Sequence, residues 1–196
     1  MKKVILSLAI LAGVTGAAQA QSTRFGVKAG ANLANISGKG TEDAKNLVGL
    51  SAGVMADFGF SDLISFHPEL LYSQKGAKFE ESGATGQVRT SYLDIPLLLR
   101  VNADGLFFEA GPQVGFLLGQ KSEASFGGQT FSSTSTEGTR KIDAGYIAGV
   151  GYQLSSGLEV GVRYNGGISD LNDPSGSDKQ RNSVFQFQVG YLFGGK

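Results

Sequence analysis

From Phe25 onward, apolar residues occupy every second position. Phe25, Val27, Ala29, Ala31 and Leu33 alternate with Gly26, Lys28, Gly30, Asn32 and Ala34. That is the side-chain period of a strand with one apolar face and one polar or small face. The alternation returns through Val48, Leu50, Val54 and Phe58, then through Ile64, Phe66, Leu70 and Tyr72. It continues through Leu93, Ile95, Leu97 and Leu99, through Leu106, Phe108, Val114 and Phe116, and through Ile142, Tyr146, Val150 and Tyr152. Leu158, Val160, Val162 and Tyr164 carry the seventh segment, and Phe185, Phe187, Val189, Tyr191 and Phe193 the last. Each of the eight covers roughly 10–14 residues, longer than the roughly 5–6 of a globular strand and matched to the roughly 9–11 that a tilted membrane strand needs.

The connections sort by length. Long ones at 36–47, 79–90, 119–140 and 169–180 alternate with short ones at 61–63, 102–105 and 155–157. An outer-membrane barrel has short periplasmic turns and long external loops, whereas a soluble sandwich has no reason to sort them. Asp104-Gly105 and Ser156-Gly157 supply turn chemistry at two short connections. In hydrocarbon no backbone amide can stay unpaired, so a spanning sheet must close on itself. The pattern therefore predicts an all-β chain: an eight-stranded antiparallel up-and-down transmembrane β-barrel, over 21–196.

Composition fits. The chain has 30 glycines among 196 residues and 17% charged residues, against roughly 7% and 25% in an ordinary soluble domain. Gly26, Gly30, Gly49, Gly53, Gly59, Gly111, Gly115, Gly145, Gly149, Gly151 and Gly161 fall on the inward phase, where a narrow barrel needs small residues. Gly149-Val150-Gly151 lacks the third glycine and the helix of a dinucleotide site. Mean hydropathy is −0.03 and no apolar run approaches the roughly 18 residues of a membrane helix. Formal charge is zero, so there is no footprint for nucleic acid. The chain has no cysteine, which excludes disulfides, thiolate metal sites and cysteine nucleophiles.

The first twenty residues have the form of a secretory leader. Lys2 and Lys3 make a positive start, an apolar stretch follows over 4–16, and Ala18-Gln19-Ala20 is a small-x-small cleavage pattern. Gln21 is then the expected mature N-terminus, and the chain is exported toward a Gram-negative-type outer membrane.

Two stretches carry more than periodicity. Phe66-His67-Pro68-Glu69-Leu70-Leu71-Tyr72-Ser73-Gln74-Lys75-Gly76 and Tyr92-Leu93-Asp94-Ile95-Pro96-Leu97-Leu98-Leu99-Arg100 resemble consecutive strand signatures of the PorT-like outer-membrane β-barrel family common in Bacteroidetes. Ala110-Gly111-Pro112, Asp143-Ala144-Gly145, Gly149-Val150-Gly151-Tyr152 and Arg163-Tyr164 match its rhythm. The resemblance implies an eight-stranded outer-membrane barrel. It also implies that the terminal aromatic, Phe193, is read by the barrel-assembly machinery, so that deleting 193–196 lowers outer-membrane levels; an aromatic girdle residue at the periplasmic interface is the plainer role. One member serves a protein-secretion apparatus, which makes an accessory role there one alternative.

The inward phase also carries charge: Lys28, Asp57, His67, Glu69, Lys75, Asp94, Arg100, Glu109, Asp143, Glu159 and Arg163. Counted from the short turns, Asp57, His67, Arg100 and Glu109 lie low, with Lys28, Glu69 and Arg163 near mid-depth. Both signs occur at each level, as a buried salt-bridge plug requires; a proton or ion path is the competing use. The expected lumen network is Lys28, Asp57, Glu69, Arg100, Glu109 and Arg163. Ser65, His67 and Glu69 share a strand face, but steps of nearly 7 Å and a lumen position away from lipid do not make a hydrolase. One histidine without cysteine makes no metal site. Asp170, Asn172, Asp173 and Asp178 miss the EF-hand spacing and read as a solvated turn. The expected role is structural or interactive, through external loops that face an unknown protein partner, with outer-membrane lipid around the barrel and no cofactor. A narrow porin-like channel for small solutes or protons is the main alternative. A soluble lipocalin-like binder, with the apolar phase turned inward, is the outside one.

Overall fold

The alternation becomes a closed ladder. The computed structural model describes residues 22–39, 41, 44–81, 84–127, 129–172 and 179–194; the expected leader lies outside them. Strands run β1 (Ser22–Gly38), β2 (Lys45–Gly59), β3 (Ile64–Glu81), β4 (Ala84–Ala103), β5 (Leu106–Phe126), β6 (Gln129–Thr134), β7 (Ile142–Gln153), β8 (Leu158–Gly167) and β9 (Gln180–Leu192). Neighbours pair antiparallel in chain order, and β1 pairs with β9, as Ala31 opposite Phe187 illustrates. β4–β5 and β5–β7 complete a ring of eight strands. The ninth strand, β6, pairs only with the upper part of β5 and stands outside the ring.

Closure of the ring settles which face is which. On β9, Phe187 is 57% exposed and its neighbour Gln186 is 1% exposed. Around the ring, large apolar side chains point outward while Lys28, Glu69, Arg100 and Arg163 are buried inside. A molecule with its charges inside and its hydrocarbon outside suits a lipid solvent. The lipocalin-like alternative required the reverse and is excluded.

Two expectations need correction. Strands of 10–14 residues were predicted, but β3, β4 and β5 have 18, 20 and 21. The stretches read as loops over 79–90 and 119–140 are largely strand: β3 and β4 continue to Glu81 and Ala84, and β5 turns into β6. Apolar alternation marks lipid contact, so it stops at the membrane edge, whereas the hydrogen-bonded ladder does not. At roughly 3.3 Å per residue, residues 119–126 lengthen the wall by about 25 Å. The short-turn end is as expected. Ala103 pairs with Leu106, leaving Asp104 and Gly105 at φ 47° and 89°, the two positive values of a type I′ hairpin.

Candidate functional site

Because inward residues of adjacent strands meet at closely spaced heights, their charges form layers. At the periplasmic end Arg24 pairs with Asp57 at 2.6 Å, and Asp57 accepts from His67 Nδ1 at 3.3 Å. His67 Nε2 receives a guanidinium N–H of Arg100 at 3.2 Å. Arg100 can only donate, so this arrangement assigns His67 the neutral tautomer with its proton on Nδ1. Arg100 also pairs with Glu159 at 2.8 Å and Glu109 at 3.0 Å, and its guanidinium lies 3.9 Å from the centre of the Phe107 ring.

One layer up, Lys28 pairs with Glu69 at 2.6 Å and lies 3.4 Å from Glu159. Arg163 takes the other Glu69 oxygen at 2.8 Å and lies 3.6 Å from Glu109. Its Nε donates to Gln186, which in turn donates to Asn32 at 2.7 Å and Ser51 at 2.6 Å. Gln188 donates to Glu109 at 3.1 Å. The highest layer holds Lys75 with Asp94 at 3.0 Å and Asp143 at 3.7 Å, beneath the Tyr92 ring.

The glycines on β7 now have a place. A Cβ at Gly149 would stand 2.7 Å from Arg163 Cβ, and one at Gly151 would meet both the Phe107 ring and the Val160 carbonyl oxygen. These two leave room for the lumen side chains. Gly53 and Gly111 do something else: a Cβ there would strike the carbonyl oxygens of Leu70 and Leu97 on the neighbouring strands, so they permit the wall to coil.

All six residues of the expected network meet here. Strand parity alone places Arg24, Gln186 and Gln188 inward, yet they were not singled out. Nor was the stacking of Arg100 on Phe107, its diagonal neighbour across β4 and β5, where Arg100 lies opposite Glu109. His67 does not face Ser65 as a base faces a nucleophile; its two nitrogens are engaged by Asp57 and Arg100. Asp170 accepts the backbone N–H groups of Asn172 and Gln180, each at 3.2 Å, which is turn geometry; Asp173 and Asp178 lie outside the described residues. Phe193 follows β9, with its ring 52% exposed and packed edge-on to Tyr191 at 5.5 Å. Its N–H donates to Phe25 at 2.7 Å.

Above the apolar band the chemistry changes. Lys45 bonds Glu80, Lys121 lies 2.5 Å from Glu123, and Gln87 donates to Glu123. The hydrogen bond from Lys45 holds the Glu80 carboxyl below its usual range, and those from Lys121 and Gln87 do the same for Glu123.

A family model for the outer membrane protein beta-barrel domain matches residues 18–173. Ail, the attachment invasion locus protein of Yersinia pestis, superposes with a TM-score of 0.51 at 18% identity, over 88% of this chain and 100% of that one. Neisserial surface protein A (NspA) gives the same values, 0.51 and 18%, over 88% and 100%. At this identity the two share a fold with this chain. No curated protein matches it in sequence.

Proposed function

Because the chain belongs to the outer membrane protein beta-barrel domain family, we propose that it acts as a sealed outer-membrane scaffold that presents its β3–β6 sheet to a partner outside the cell. Within the family, the Phe66–Gly76 and Tyr92–Arg100 motifs align it with PorT-like barrels. Phe193 is the residue that the assembly machinery reads, and the barrel does no catalysis. The single observation supporting the sealed reading is the run of ion pairs across the lumen, from Arg24–Asp57 through Arg100–Glu159 and Arg163–Glu69 to Lys75–Asp94. An eight-stranded barrel has an interior about wide enough for its own side chains. Here those include two arginines, two lysines and the rings of Phe107 and Tyr92, all buried. Water-filled passage would require several pairs to part at once.

The test is conductance in planar bilayers. Purified protein should give no stable porin-sized steps. Reproducible steps of that size would replace the scaffold with a narrow channel for small solutes.

A further inference from the structure

The lumen charges do not balance evenly along its length. In the lower two layers four cations (Arg24, Lys28, Arg100, Arg163) face four carboxylates (Asp57, Glu69, Glu109, Glu159), and each is paired. In the upper layer Lys75 faces both Asp94 and Asp143. Among the described lumen residues one carboxylate is therefore in excess, and it sits at this level. Asp94 holds Lys75 through both oxygens at 3.0 Å. Asp143 is left with a 3.7 Å approach to Lys75 and a hydrogen bond from Asn182 at 2.8 Å, both on Oδ2. Its Oδ1 is buried without a partner, in a residue only 4% exposed.

A second buried oxygen without a partner lies on the same lumen face. Gln113 is 5% exposed and its Oε1 is also buried without a partner. In the β5–β7 register, Gln113 lies opposite Gly145 and Gly115 opposite Asp143. Gln113 and Asp143 are thus diagonal neighbours on one lumen face, a spacing that long side chains bridge, and both intervening residues are glycines. Asn165, on β8 opposite Ile147, carries another buried oxygen without a partner. Asn165 lies farther down, Ile147 being four residues beyond Asp143 on β7; between Asp143 and Gln113 the spare atoms are oxygens, so the space calls for a positive charge.

The missing charge is one. Oxygen ligands suit hard cations, and tight divalent sites recruit several carboxylates. No group of three His, Cys, Asp or Glu residues is arranged to hold a metal ion among the described residues. Asp143 is the second residue of β7, at the strand end facing the external connections, so the route in is from outside the cell. We propose that the upper lumen is a binding site for one hard monovalent cation of the sodium class, held between Asp143 and Gln113. It does not depend on whether the barrel conducts.

The test uses the mature barrel in detergent micelles, with thermal unfolding followed by circular dichroism as NaCl replaces choline chloride at constant ionic strength. A ligand that binds only the folded state raises its stability with concentration, and the midpoint should climb and then level off, by on the order of 2–4 °C. Asp143→Asn should abolish the difference between sodium and choline. Gln113→Met, which leaves every charge in place, should weaken it and covers the case in which Asp143→Asn does not fold. Equal midpoints in sodium and choline would overturn the proposal. A larger rise with CaCl2 at matched ionic strength would overturn the monovalent assignment. A full sodium response in either variant would overturn the site.

Discussion

The same chemistry, a cation beside a carboxylate, occurs in two settings in this barrel. Arg163 and Glu69 meet in the lumen at 2.8 Å with both side chains fully buried. Lys45 and Glu80 meet on the external sheet with side chains 57% and 48% exposed. In the lumen, removing one partner leaves the other charge out of water and uncompensated, which is why breaking a buried pair is far costlier than the net worth of forming it. On the external sheet, water and salt take over whatever the partner leaves. The lumen pairs accordingly lock the barrel to one packing, since Arg100 and Arg163 each engage two acids. The external pairs decorate a sheet that stands by its backbone ladder.

The sharpest way to break this contrast is Arg163→Ala. It leaves Glu69 to Lys28 alone and shifts the burden of Glu109 onto Arg100, at a cost of about 3–5 kcal/mol. The variant should lose its heat-resistant mobility on gels at a lower temperature than the parent. Full heat resistance in a variant that conducts would make the charges a gate. A smaller effect is expected at Gly151→Ala, where the added methyl competes with the Phe107 ring on which Arg100 rests. Overpacking of this kind costs about 1–3 kcal/mol, readable as a drop in the urea midpoint. An unchanged midpoint would mean that both the ring and the Val160 carbonyl can move away freely. Smallest of all is Lys45→Ala. It should return the Glu80 titration toward the ordinary glutamate value of 4.5 without a measurable change in unfolding midpoint. A carboxyl held below its ordinary value adds stability only where it is ionised. Any residual effect should therefore be present above that pH and fade as pH falls below it. A midpoint drop as large as that of Arg163→Ala would erase the distinction between the two settings.

Much of this was legible along the chain. Period two from Phe25 to Phe193, the sorted connections and the even strand count specify a membrane barrel, because lipid imposes one rule on every strand and a rule repeated eight times is visible. Asp104-Gly105 was legible as a hairpin because two positive φ angles demand those residue types. Parity likewise placed Lys28, Asp57, Glu69, Arg100, Glu109 and Arg163 on one common face. The upper reach of β3–β5 and the strand β6 were not legible, since backbone pairing in water leaves no apolar signature. The direction of the phase was equally silent. Strict alternation is compatible with apolar side chains facing a ligand or facing lipid, and only the closed ring with Arg163 inside it decides.

What the amino-acid sequence determined by itself is which residues share a face and which charges lie together on it, because side-chain alternation in a strand follows from position parity alone. What only the tertiary structure decided is the partner of each. Arg163 bonds Glu69, 94 residues away, and Asp143 is left with a bare oxygen while Asp94 keeps Lys75. Those choices depend on the stagger between strands and on which glycines leave room, quantities that arise when the sheet closes and that no single strand contains.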